Sequence, residues 1–292
     1  MSERVLGGGA VNEVVRVGTT VRRPPHERSG YVRELLALFE SREWAGAPPY
    51  IGTDKQGREV FGYLEGRAAV TAEERAAART DTALVRVARL VRAVHDMTHG
   101  TELAGDRDVV CHNDLAPKNT VYTVEDGEWW PTAFVDWDLA APGERVHDLA
   151  HVCWQYLDLG PRVTDVPEAA RRIALVRDAY GPCDGGEDLV DTILWWQDRC
   201  RQGIEAGAQR GEPAMVALRQ RGVLIGTSTL ADGSTTAKIY RLTADHYEAD
   251  IYAGGKRLDT LVADGRVAYG GNNGLHVALH PDGRLASWGE EA

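Results

Sequence analysis

The chain contains no C-x-x-C pair. Its four cysteines, Cys111, Cys153, Cys183 and Cys200, stand far apart and mostly inside apolar periodic runs, which argues against a disulfide framework and a cysteine-rich zinc site. A reduced, cytoplasmic protein is expected. No run of about 18 apolar residues is available to span a bilayer, and Met1-Ser2-Glu3-Arg4 has no apolar signal core, so no membrane partner is expected. Positive charge is scarce as well: 33 Lys and Arg against 44 Asp and Glu leave a net charge of -11. Nucleic-acid binding depends on neutralising phosphates with those basic residues, so that partner class is excluded. An acidic balance suits a small cationic substrate, and it equally suits plain solubility.

What is present is apolar content in quantity. Hydrophobic residues make up 43% of the 292 positions, enough for a large core and more than one average domain. The most informative stretch runs Val109-Val110-Cys111-His112-Asn113-Asp114-Leu115-Ala116-Pro117-Lys118-Asn119-Thr120-Val121-Tyr122 and then, after a gap, Ala133-Phe134-Val135-Asp136-Trp137-Asp138. It reads as strand, polar loop and strand, followed by a short apolar run that stops on two carboxylates. The spacing His112-x-Asp114-x-x-x-x-Asn119, with Asp136 downstream, suits phosphoryl transfer. In that chemistry one carboxylate accepts the proton of an attacking hydroxyl, while an amide oxygen and a second carboxylate hold magnesium against the phosphates of ATP. Magnesium takes hard oxygen ligands, and Asn119 with Asp136 offers one neutral and one charged. Asp114 stays off the metal if it is to act as base.

These residues resemble the catalytic and metal-binding segments of the aminoglycoside phosphotransferase and choline-kinase-like family, relatives of the protein kinases, whose members typically show His-x-Asp-x-x-x-x-Asn and then Asp-x-Asp. The resemblance implies an α+β, bilobal protein-kinase-like fold: a short N-lobe sheet plus one helix, then a mainly helical C-lobe. It further implies Asp114 as base, Asn119 and Asp136 as magnesium ligands, Asp138 near a second metal ion, and His112 as a packing residue that orients the loop. Asp114, Asn119 and Asp136 are then the catalytic set, ATP and Mg2+ the cofactors, and a hydroxyl of a small molecule the phosphate acceptor.

Upstream, Gly7-Gly8-Gly9-Ala10-Val11-Asn12 precedes a strand from Val14 to Val17. Such a hairpin can lay backbone amides over phosphates, with Gly8 and Gly9 as candidates, although three glycines also make an ordinary turn. The next strand, Val21-Arg22-Arg23-Pro24, lacks the lysine that the kinase signature places there, and Lys55 falls in the turn Thr53-Asp54-Lys55-Gln56-Gly57. Phosphate grip is left to Arg22 or Arg23, between which strand alternation does not choose. Ser29 to Glu43 reads as a helix that Ser29 can cap, with Val32, Leu35, Leu36 and Phe39 at helical spacing. Its Glu34 is either a partner for those arginines or a solvated residue. Val60 to Gly66 resembles the family's hinge, which implies adenine contacts from the backbone around Gly62, Tyr63 and Leu64; a plain edge strand reads nearly as well. Thr71 to Met97 is expected as one long helix with Leu84, Val87, Val91 and Val94 on a single face and His95 packed.

After Asp138, His147-Asp148-Leu149-Ala150-His151 superficially matches the H-E-x-x-H helix of zinc hydrolases, with Asp in place of Glu. A third ligand is lacking, and the shorter Asp148 would hold its carboxylate farther from a metal-bound water. The family resemblance implies instead that Asp148 anchors the catalytic loop by bonding its backbone. Helices are expected from Pro167 to Tyr180 and from Glu187 to Ala208. Their acids Asp178, Asp184, Glu187, Asp191 and Asp198 are available to a cationic acceptor or to solvent.

Beyond Gly222 the texture changes to short alternating runs separated by Asp232-Gly233, Gly254-Gly255, Asp264-Gly265, Asn272-Asn273-Gly274 and Asp282-Gly283, all turn-forming. Seven strands are expected. The domain boundaries are therefore 1–66 for a nucleotide-binding N-lobe, 67–222 for a catalytic and acceptor-binding C-lobe, and 223–292 for an antiparallel β-meander. The meander lies outside the resemblance and is a candidate docking surface for a protein partner. Its presence and the missing lysine keep a second reading open, a nucleotide-binding pseudokinase that senses or scaffolds.

Overall fold

Short valine-bearing segments make the first layer. The computed structural model describes residues 3–6, 14–160, 163–183, 188–213, 215, 216, 218, 223–242, 245–254, 256–272 and 274–289. Gly8 and Gly9 lie outside those residues, as do Asp184 and Glu187. Strands β1 (Arg4–Leu6), β2 (Val14–Val17), β3 (Thr20–Arg23), β4 (Tyr50–Thr53) and β5 (Glu59–Gly62) form an antiparallel sheet in the order β1-β2-β3-β5-β4. Helix α1 (Ser29–Ser41) buries Val32, Leu35, Leu36 and Phe39, the i, i+3, i+4, i+7 stripe of an amphipathic helix. Ser29 does not cap it. Arg28 holds the cap position without a side-chain bond, and the Ser29 hydroxyl donates to Glu59 Oε2 at 2.9 Å. A buried carboxylate makes the stronger, charge-assisted bond and wins that hydroxyl from the helix end.

Beyond the sheet and Gly66, Arg67 and Tyr122 exchange backbone hydrogen bonds at 2.9 and 2.8 Å. The expected long helix is two helices, α2 (Ala72–Ala77) and α3 (Asp81–Thr98). The break has a local cause: Thr71 and Thr80 each accept a backbone N–H with the side chain, from Glu74 and Ala83 respectively, so each threonine starts a helix. Helix α3 buries Leu84, Val87, Val91, Val94 and His95. It packs against α4 (Arg145–Leu157) and α5 (Val166–Tyr180), with α6 (Leu189–Gln209) following. Two small strand pairs carry the loops between them: β6 (Val109–Cys111) with β9 (Ala141–Gly143), and the hairpin β7 (Thr120–Glu125) with β8 (Glu128–Phe134).

The chain divides into two compact units, Met1–Arg199 and Cys200–Ala292. In the second, β10 (Val223–Thr229), β11 (Thr236–Arg241), β12 (His246–Ala253) and β13 (Lys256–Asp264) form one antiparallel sheet. A second contains β14 (Ala268–Asn272), β15 (Leu275–Leu279) and β16 (Leu285–Gly289). Tyr247, Ala249 and Ile251 on one face of β12 share a core with Leu261, Val277 and Leu279, as period-two alternation requires. The architecture is the kinase-like bilobal unit implied by the loop residues, with an antiparallel strand set after it.

Candidate active site

The site is built from loop backbone held in place from below. Asp148, buried in the first turn of α4, accepts the His112 N–H on Oδ2 at 2.7 Å and the Asn113 N–H on Oδ1 at 2.9 Å. The same carboxylate meets His95 Nε2 at 3.3 Å, and His95 Nδ1 lies 2.8 Å from the Tyr180 hydroxyl. Burial alone would push the Asp148 carboxyl up, but the His95 contact and the loop N–H bonds outweigh it and hold the group below the usual carboxylate range. Asp148 therefore anchors the loop in the manner the resemblance implied.

Above it, His112 is buried between Trp137 and Phe134, ring centroids 4.5 and 6.0 Å away. Its Nδ1 accepts the Asp114 N–H at 3.3 Å, which leaves Nε2 to donate to the Val135 carbonyl at 3.1 Å. One imidazole thus joins the two halves of the motif. Asn119 Nδ2 donates to Asp114 Oδ2 at 2.8 Å and to the Asp114 carbonyl at 2.9 Å, while the Asn119 carbonyl accepts the Val135 N–H at 2.9 Å. With Nδ2 spent on Asp114, the Asn119 amide oxygen remains for a cation. Asp136 sits just beyond, in the left-handed region at φ 65°, ψ 57°. Only short polar residues visit that conformation cheaply, and buried Trp137, whose Nε1 donates to the Phe134 carbonyl, pins the turn. Burial pushes the Asp136 carboxyl up, and the neighbouring charges of Asp138 and Asp114 push it further. Asp136 and the Asn119 amide oxygen offer the hard-oxygen chemistry that suits Mg2+.

From the N-lobe, β3 delivers one arginine and not the other. Arg23 Nη1 bonds Asp138 Oδ1 and reaches within 4.0 Å of Asp136 Oδ1, whereas Arg22 turns to Asp54 at 3.3 Å. Glu34 is exposed and is not their partner; the acid beside Arg23 is buried Glu59, 3.7 Å from Nε. Lys55 is exposed in its turn. Of the hinge positions, the Gly62 and Tyr63 N–H groups are spent within the lobe, on the Pro49 and Thr19 carbonyls, both at 2.9 Å. The Leu64 N–H has no partner among the described residues.

Two further groups at the site were not singled out by sequence. Lys118 Nζ lies 3.3 Å from Asp114 Oδ2, and His26 Nε2 lies 3.1 Å from Asp138 Oδ1. The signal for Lys118 was its i+4 offset from Asp114; nothing local marks His26. The histidines of the zinc reading serve packing. His151 Nδ1 meets the Leu115 carbonyl at 2.9 Å, and the His147 ring stacks on Trp195 at 5.2 Å. Among the described residues the one grouping with metal-like spacing is buried His95, Cys111 and Asp148; the first and last are engaged as described above, and Cys111 Sγ donates to the Glu144 carbonyl at 3.2 Å. His147 and Trp195 with Asp188, Asp191 and Thr192 line a cleft of about 500 Å³. Asp178 instead pairs with Arg177 at 2.8 Å, and Asp198 is exposed.

Residues 45–184 match the phosphotransferase enzyme family, a span that holds every loop residue just described. A trifolitoxin immunity protein from Rhizobium leguminosarum bv. trifolii is 28% identical over 202 residues, 61% of this chain and 74% of its own length. Two solved structures share the fold at a TM-score of 0.51: an aminoglycoside phosphotransferase with GDP and kanamycin, at 15% identity, and a wild-type aminoglycoside 2'-phosphotransferase with GDP, at 14%. Each covers 74% of this chain and 89% of its own. By its motifs, by the family match and by its fold, this chain resembles the aminoglycoside phosphotransferase and choline-kinase-like family, as residues 111–138 had implied.

Proposed function

We propose that the chain is an ATP- and magnesium-dependent kinase that phosphorylates a hydroxyl of a small acceptor carrying positive charge. The observation that carries this reading is the division of labour at the loop. Asn119 Nδ2 fixes the Asp114 carboxylate at 2.8 Å, and the Asn119 amide oxygen and half-exposed Asp136 stand beside it. Asp114 takes the proton of the acceptor hydroxyl as the new oxygen–phosphorus bond forms and the bond from the γ-phosphorus to the β–γ bridging oxygen breaks, ADP carrying that oxygen away. Lys118, next to Asp114, offsets the charge that gathers there. Asn119 and Asp136 are the residues that would hold Mg2+, which draws charge off the phosphate oxygens when bound. Arg23 presents a guanidinium to those oxygens from the N-lobe, in the role that a lysine fills in the kinase signature. Leu64 is the hinge amide left to meet the purine.

The acceptor class follows from the cleft of Trp195, His147, Asp188 and Asp191. The two carboxylates there favour an amine or ammonium group. Helix α4 links that cleft to the loop, because His147 lines the one and His151 bonds Leu115 of the other.

Thermal shifts with ATP or GTP plus Mg2+, followed by phosphate-transfer assays over amino sugars including kanamycin, choline-like alcohols and neutral sugars, test the proposal. Nucleotide binding and transfer to an amine-bearing alcohol are expected. Binding with no transfer to any acceptor would favour the scaffold reading, which the missing lysine motivates.

A further inference from the structure

Resting on the kinase reading above, we infer that Glu59 is a positioning residue: it aims the Arg23 guanidinium at the nucleotide phosphates, in place of the helix acid that the kinase signature pairs with its strand lysine. Glu34, the acid that α1 offers, is exposed. Glu59 is 2% exposed, and among the described residues Arg23 is its ion-pair partner, with Nε 3.7 Å from Oε2. The sheet register sets the two residues directly opposite each other on β3 and β5, so their side chains leave one face of the sheet together. Helix α1 supplies a hydroxyl instead of a carboxylate. Ser29 Oγ accepts the His26 N–H at 2.9 Å and donates to Glu59 Oε2 at 2.9 Å. The start of α1 is thereby tied to the acid, and the acid to the arginine.

The arginine meets Glu59 with its Nε edge, and the far end of its guanidinium reaches the loop, where Nη1 bonds Asp138 and lies 4.0 Å from Asp136 Oδ1. The guanidinium also lies over the Phe61 ring at 4.9 Å. An acid behind it and a ring against its plane restrict a long side chain to one direction. The fold alone does not ask for a charge at residue 59, since apolar residues of similar volume often replace a buried ion pair without loss of stability. Nor is the charge fully satisfied. Glu59 Oε1 and Arg23 Nε are buried and have no hydrogen-bond partner among the described residues, which costs stability. A buried carboxylate kept under those conditions, with a single cationic neighbour that faces the phosphate site, serves that neighbour.

Dissociation constants of the full chain for MgATP and for adenosine, from nuclear magnetic resonance titrations, test the assignment. E59Q keeps the side-chain volume and an acceptor for Ser29 but removes the charge behind Arg23. It is expected to bind MgATP about 10-fold more weakly than wild type and adenosine equally well, because adenosine has no phosphate for Arg23 to meet. In an R23M background the same substitution should change neither affinity further. S29A, which keeps the charge but frees the carboxylate, should weaken MgATP about 3-fold, again without moving adenosine. MgATP affinity unchanged or tightened in E59Q, MgATP and adenosine weakened alike, or an E59Q effect that persists in R23M would overturn the inference while leaving the kinase reading intact. Should E59Q not fold, S29A decides, and wild-type MgATP affinity in S29A would then overturn the inference. A wild-type chain that binds no MgATP would overturn the kinase reading and this inference with it.

Discussion

Asp148 shows what a single buried carboxylate contributes here. It satisfies two loop N–H groups and His95 at once, so D148N leaves at least one buried group with the wrong partner and should cost about 2–3 kcal/mol at neutral pH. The pH dependence has a definite sign. The folded carboxyl lies below its ordinary range, so the ionised form stabilises the fold above the unfolded value of about 3.9 and loses that effect as pH falls through the folded value. Urea midpoints of wild type and D148N should therefore differ most near neutrality and converge in acid. A gap that stays constant down to about pH 3 would contradict the assignment. The thiols give a second check. Cys111 and Cys153 are fully buried, and burial pushes the Cys153 thiol up to about 12. Neither should react with a disulfide reagent at pH 8 until the chain is unfolded. At this scale the loop was legible, because Asp114, Asn119 and Asp136 announce themselves by spacing. The choice between Arg22 and Arg23 was not. It depends on a partner, Asp138, that lies 115 residues away in sequence, and on a sheet register that two adjacent arginines do not reveal.

Among the elements, the connection at Gly66 is tightly constrained by side chain and backbone together. Its φ is +145°, and a Cβ there would meet Val121 Cγ1 at 2.6 Å and the Tyr122 carbonyl at 2.7 Å. The backbone cannot give way cheaply, because Arg67 and Tyr122 are bonded in both directions just beyond. G66A is therefore expected to destabilise the first unit by about 2–3 kcal/mol, read as a lowered urea midpoint with an unchanged slope. A variant as stable as wild type would mean that the backbone at Gly66 follows a different path against Val121 and Tyr122. The turns of the second unit were legible, since each turn pair contains a glycine in the left-handed region, such as Gly233 at φ 72° and Gly283 at φ 83°; that the seven strands divide into two sheets was not. The split between α2 and α3 was not, because the apolar 3.6-residue rhythm carries on across Thr80 and conceals the cap. Ser29 misled for a related reason: a serine at a helix start reads as a cap until a buried glutamate from another strand claims it.

For the molecule as a whole, the family match ends at residue 184, and the strand set of residues 223–289 is left without a chemical motif. Among the described residues no helix is long and apolar enough to cross a membrane. The central claim is that Asp114 is the base of a phosphoryl transfer whose nucleotide is held by other residues. D114N isolates that role, because the amide oxygen still accepts from Asn119 Nδ2 and the loop keeps its geometry while the base is lost. The decisive measurement is phosphate transfer to the best acceptor of the panel by wild type and D114N, alongside nucleotide affinity for both. Transfer should fall by about 10³-fold with nucleotide affinity unchanged. Transfer by D114N within a few-fold of wild type would contradict the claim.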